Sequence, residues 1–127
     1  MSIPAKGHNE GFVTLVNEAK SRVKQIDVQE YKRMKEAGED FVFIDVREDN
    51  EWQAGHAEGA LHLSKGIIER DVETKIPAKD TKLVLYCGGG FRSALAADNL
   101  QKMGYTNAIS MDGGWRAYNE AGLPVTK

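Results

Sequence analysis

A single cysteine in 127 residues excludes an internal disulfide, so packing alone must hold the chain together. No apolar run approaches the length that spans a membrane. The opening segment, Met1 to Glu10, has no apolar stretch to act as the core of a secretion signal. A cytoplasmic, reduced setting away from the membrane is therefore expected. Charge of one sign is also scarce: 17 basic and 19 acidic residues are mixed along the chain, leave a net charge of -2, and form no Lys/Arg-rich run. Nucleic acid, which is held by an electropositive footprint, is not an expected partner. Metal-ligand spacing is missing too. His8 and His62 have no Cys, His, Asp or Glu at ligating intervals, and only one sulfur ligand is available, so neither a metal nor another cofactor is expected.

The chain does have the ordinary balance of a folded protein, with 41% hydrophobic and 28% charged residues, and its length suits a single domain. Residues 1–9 read as a lead-in. Phe12, Leu15, Val16, Ala19 and Val23 then recur on one helical face, predicting an amphipathic helix over 10–24. Tail and helix together form a leading unit over 1–25, ahead of the main domain over 26–127. The helix's apolar face has two available partners, this same chain or a second copy in a homodimer. A second helix is predicted from Asp27, with Glu30 three residues on in a variant capping box and Ile26 placed to staple against Tyr31.

Phe41-Val42-Phe43-Ile44 and Leu83-Val84-Leu85-Tyr86 are continuous apolar runs of the kind found in strands covered on both faces. Shorter strands are predicted at 108–111 and 60–63. Helices are expected over 92–103, stopped by Gly104, and over 51–54, 65–72 and 115–121. This alternation predicts an α/β fold with a mostly parallel sheet and helices on both faces.

In such sheets ligands bind beyond the carboxyl ends of the strands, and Cys87 stands at one of those ends. It opens the run Cys87-Gly88-Gly89-Gly90-Phe91-Arg92-Ser93. A strand-end cysteine is often only a small core residue, and three glycines are often only a loop. Together with a helix start and an arginine they make a cradle. Glycines let successive N–H groups turn inward, and the helix adds its unpaired N–H groups and positive dipole end. All of these favour the thiolate, the nucleophilic form.

With that loop in view, the chain resembles the rhodanese-like sulfurtransferases over about residues 26–125. Three landmarks carry the likeness: Phe43 to Glu48 followed by Glu51-Trp52 and Gly55 to Ala60; the loop from Cys87 to Arg92 with Ser93 after it; and Met111-Asp112-Gly113-Gly114-Trp115 leading to Gly122-Leu123-Pro124-Val125. The resemblance implies a persulfide on Cys87 that takes sulfane sulfur from a small anionic donor such as thiosulfate and passes it to cyanide or a thiol. Related cell-cycle phosphatases hold phosphate in a loop one residue longer than the four residues that separate Cys87 from Arg92 here. Gly88 departs from the basic residue that many thiosulfate-using members carry. A regulatory module without turnover is the second implied function, and a phosphatase or arsenate reductase the third.

The candidate site therefore comprises Cys87 as nucleophile, with Gly88, Gly89, Gly90, Phe91, Arg92, Ser93 and Arg47 around the substrate. Arg92 either clamps an anion or pairs with a carboxylate near the helix start, and Ser93 either caps the helix or donates to sulfur. Arg47 lies at the neighbouring strand end, where Glu48 or Glu51 also offers it a partner. Asp45 is read as a loop tie, His56 as a structural hydrogen-bonding group, and Trp115 as a packing residue.

Overall fold

The computed structural model describes residues 8–127, so the expected lead-in lies mostly outside the described residues. Helix α1 (Glu10–Lys20) is followed by β1 (Lys24–Ile26), α2 (Val28–Glu36), β2 (Val42–Asp45), α3 (Asp49–Ala54), β3 (His56–Ala57) and β4 (Leu61–His62). The chain continues through α4 (Ile68–Lys75), β5 (Leu83–Tyr86), α5 (Phe91–Lys102), β6 (Ala108–Met111), α6 (Gly114–Glu120) and β7 (Val125–Thr126). Five strands form a parallel sheet in the order β1-β6-β5-β2-β4, and β3 pairs with β7 antiparallel in a separate ribbon. Among the described residues no helix is long and apolar enough to cross a membrane.

Alternation along the strands divides the interior in two. Ile44, Leu83, Leu85 and Ala108 join one core with Ala19 of α1, Ile68 and Val72 of α4, and Ala94, Ala97 and Leu100 of α5. Phe43, Val84, Tyr86, Ile109 and Met111 point the other way, onto Tyr31 and Met34 of α2 and Tyr118 of α6. Each fully buried Leu or Ile contributes about 1.5–3 kcal/mol, which explains why the two continuous apolar runs occupy the centre of the sheet. The same alternation sets the site. Cys87 continues the series Leu83, Leu85 onto the α5 side, whereas Tyr86 is turned toward Asp45, its register partner on β2.

Asp27 caps α2 by accepting the Glu30 N–H at 2.8 Å, and Ile26 and Tyr31 share the second core. Helix α1 ends at Lys20 rather than continuing to 24, because Lys24–Ile26 pairs with β6 instead. Strands as short as β1, β3 and β7 carry too few residues to display an alternation. Helix α1 packs on this same chain. Val16 and Ala19 are buried, and Arg22, just beyond the helix, makes a two-pronged contact of 3.0 and 2.7 Å with Asp98 of α5.

Candidate active site

Gly90 precedes the first turn of α5 at φ +103°, a conformation that L side chains rarely adopt. It has no side chain with which to cap the helix, and the thiol sulfur occupies that role. The Gly90 N–H donates to Cys87 Sγ at 3.1 Å and the Ser93 N–H at 3.4 Å, with Ser93 Oγ 3.6 Å away. Ser93 itself lies inside the first turn, and its hydroxyl is 2.8 Å from that of Ser110 on β6. Two backbone N–H groups thus donate to the sulfur, and its thiol faces the Ser93 hydroxyl as donor.

The loop carbonyls are held from the other side. The N–H of Trp115 donates to Cys87 O at 2.7 Å and that of Arg116 to Gly88 O at 3.2 Å. This approach requires Gly114, whose φ is +48° and where a Cβ would overlap the Cys87 carbonyl oxygen. With its carbonyls turned toward α6, the loop presents N–H groups to Sγ. Sequence reasoning missed this brace, although the Gly113-Gly114 pair at a helix start was a signal for it.

Arg92 resolves toward the second of its two readings. Its Nη atoms donate to Glu51 at 2.7 and 3.1 Å, and the Glu51 carboxylate also accepts the Glu48 N–H at 3.0 Å. The Arg92 hydrogen bonds hold the Glu51 carboxyl below its ordinary value against the opposing effect of burial. The guanidinium still borders the loop and lines the cleft over Cys87. Arg47 is not brought there. Only 3% exposed, it is bound by Asp45 at 2.8 Å and by the Gly55 carbonyl at 2.7 Å, and it lies 4.4 Å from the Trp115 ring centre. A buried charge requires a fixed partner, and Asp45 supplies one.

Tyr86 completes that network, donating to Asp45 at 2.6 Å and accepting the Ala57 N–H at 3.0 Å. Burial, followed by the bond to Asp45, pushes its hydroxyl well above the usual tyrosine range. His56 is hydrogen-bonded through Nδ1 to the Trp52 carbonyl at 2.9 Å and stacked on the Trp52 ring, away from the sulfur. Among the described residues no group of His, Cys, Asp and Glu could hold a metal ion.

Above Cys87 opens a cleft of about 870 Å³, with Gly88, Gly89, Phe91 and Arg92 at its base, His8 and Phe12 on the α1 side and Arg116 and Glu120 on the α6 side. The walls from α1 are a tertiary feature with no local sequence signal.

A parallel α/β sheet whose central strand ends in a cysteine, cradled by a glycine loop and a helix start, defines a strand-end cysteine-loop protein. Residues 27–121 match the Rhodanese-like domain family, and the chain belongs to that family. It is 34% identical over 112 residues to the tRNA uridine(34) hydroxylase of Cronobacter sakazakii, covering 78% of this chain and 32% of that protein. The same identity holds over 94 residues with the enzyme of that name from Escherichia coli O1:K1 / APEC, covering 68% and 27%. The chain spans about a third of the length of these curated relatives.

Among solved structures, a Rhodopseudomonas palustris protein described as a possible tyrosine phosphatase superposes with a TM-score of 0.80 at 27% identity, covering 98% of this chain and all of its own. A rhodanese-like domain protein from Staphylococcus aureus gives 0.72 at 27%, covering 83% of this chain and 100% of that one. The thiosulfate sulfurtransferase of Pseudomonas aeruginosa shares the fold at 20% identity, with a TM-score of 0.77 over 91% of this chain and 22% of its own.

Proposed function

We propose that this chain is a sulfurtransferase that carries sulfane sulfur on Cys87. The observation that supports it is the pair of N–H groups, from Gly90 and Ser93, aimed at a sulfur on the floor of an open cleft. With thiosulfate, the Cys87 thiolate attacks the terminal sulfur, the S–S bond breaks and sulfite leaves. A thiol or cyanide then attacks the outer sulfur of the persulfide and returns the thiolate. In this reading Gly88, Gly89, Gly90 and Ser93 hold the transferred sulfur, while Phe91 and Arg92 border the donor. Glu51 neutralises much of the Arg92 charge, so the backbone N–H groups carry most of the stabilisation.

Incubation with thiosulfate or an organic persulfide, followed by intact mass measurement, tests this directly. A gain of one sulfur on Cys87 and thiocyanate formation with cyanide are expected. Failure to load from every donor supports the module without turnover instead. The names of the curated relatives favour a second reading, a part in the hydroxylation of tRNA uridine(34). Against it, the net charge of -2 provides little attraction for a phosphate backbone. Nucleoside analysis of tRNA incubated with the chain would reveal hydroxylated uridine if that reading held. Phosphate-ester hydrolysis is disfavoured by the short loop, and an aryl phosphate should give no turnover.

A further inference from the structure

The cleft over Cys87 extends well past the space that thiosulfate needs. It is an open cleft of about 870 Å³, wide enough to receive an organic ligand, whereas thiosulfate is one small tetrahedral anion. One wall is aromatic. The rings of Phe12 on α1 and Phe91 on α5 stand 5.9 Å apart between centroids, and the His8 ring lies 5.4 Å from the first and 4.6 Å from the second. The facing wall is the outer side of α6. There the Arg116 backbone is anchored by its N–H bond to Gly88 O at 3.2 Å, and its side chain is exposed at the cleft.

The charges around this mouth differ in how far they are already engaged. Arg92 is paired with Glu51 at 2.7 Å, and Lys20 lies 3.6 Å from Asp112 and 4.8 Å from the Phe91 ring centre. Among the described residues Arg116 makes no ion pair. Two carboxylates, Asp112 and Glu120, also line the cleft, and Glu120, one turn further along α6, lies beyond ion-pair distance of Arg116. Arg116 is therefore the guanidinium at this mouth left to meet an incoming anion.

We propose that the upper cleft is a subsite for a low-molecular-weight organic persulfide bearing a carboxylate: Phe12 and Phe91 pack on its carbon chain and Arg116 takes the carboxylate. The inference rests on Cys87 as sulfur carrier and adds the class of donor. The Cys87 thiolate attacks the outer, hydrogen-bearing sulfur of R–S–SH. The S–S bond of the donor breaks, RS⁻ leaves with the bonding pair, and Cys87–S–SH retains the proton, so no outside oxidant or reductant enters. Arg116 touches only the far end of the donor and acts as a specificity residue.

The test compares the persulfides of 3-mercaptopropionate and of its amide, with thiosulfate as a third donor, on wild type, Arg116→Ala, Arg116→Lys and Phe12→Ala. Loss of a charge-assisted contact should lower the carboxylate-to-amide ratio of kcat/KM by about ten- to hundredfold in Arg116→Ala. Arg116→Lys should recover part of it, keeping the charge without the planar fork. Phe12→Ala should raise KM for both organic donors more than for thiosulfate. An unchanged ratio in a normally folded Arg116→Ala protein overturns the subsite while Cys87 still loads. Failure of wild type to load from any of the three donors overturns the carrier reading on which the subsite depends.

Discussion

Strands β2 and β5 lie side by side, with Asp45 opposite Tyr86 in register, yet they end in opposite ways. At the end of β2, charge is sealed in: Asp45 is 0% and Arg47 3% exposed, and each answers the other. At the end of β5, Cys87 is equally buried, but its donors converge on one soft sulfur facing an open cleft. Polar groups satisfied by one another hold a fold together, while donors arranged around a single reactive atom remain available for chemistry. Two arginines repeat the contrast. Arg47 is locked within the first region, and Arg92 borders the second with its side chain 30% exposed.

The largest expected effect comes from Cys87→Ser, which removes the only sulfur at the β5 end. Persulfide loading by mass and thiocyanate release should both fall to background, with the thermal midpoint near wild type. Residual transfer at close to the wild-type rate would remove Cys87 from the mechanism. At the β2 end, Arg47→Ala should leave transfer chemistry in place and instead lower stability by about 3–5 kcal/mol, because it strands a buried carboxylate. Urea unfolding measures that loss. Arg92→Ala, whose partner is partly exposed, should lose less, on the order of 1 kcal/mol. Equal losses for the two arginines would erase the distinction between the two strand ends.

A finer probe is Tyr86→Phe, which deletes the donor to Asp45 and the acceptor for the Ala57 N–H inside the sealed network. A destabilisation of about 1–3 kcal/mol is expected, and one near zero would mean that water or a shifted backbone replaces the hydroxyl. The smallest effect is a pH dependence at the β5 mouth. The Arg92 hydrogen bonds depress the Glu51 carboxyl in the folded state. That contribution is present above the unfolded value of roughly 4.3 and is lost as pH falls through the folded value. The stability gap between wild type and Glu51→Gln should therefore narrow as pH drops from roughly 6 toward 3. A gap that widened on acidification would reverse the sign of the Arg92–Glu51 interaction.

Much of this architecture was legible along the chain because it depends on neighbours in sequence. The apolar runs at 41–44 and 83–86 mark the central strands, Asp27 announces its helix, and the order of strand, cysteine, glycines and helix locates the loop, since each follows from local burial or backbone freedom. The strands β1, β3 and β7 were invisible for the converse reason: two or three residues have no period to read, and pairing partners 68 to 85 positions away define them.

The sequence by itself determined that a cysteine would close a buried strand at the mouth of a helix, because hydrophobic alternation and glycine spacing are properties of a continuous segment. Only the tertiary structure decided which charges remain available. Glu51, 41 residues from Arg92, neutralises it, Asp45 claims Arg47, the N–H groups of α6 turn the loop carbonyls away from the sulfur, and α1 raises a wall over the cleft. Those outcomes depend on through-space distances of a few ångströms, over which Coulombic and hydrogen-bond energies change steeply, and spacing along the chain does not by itself fix them.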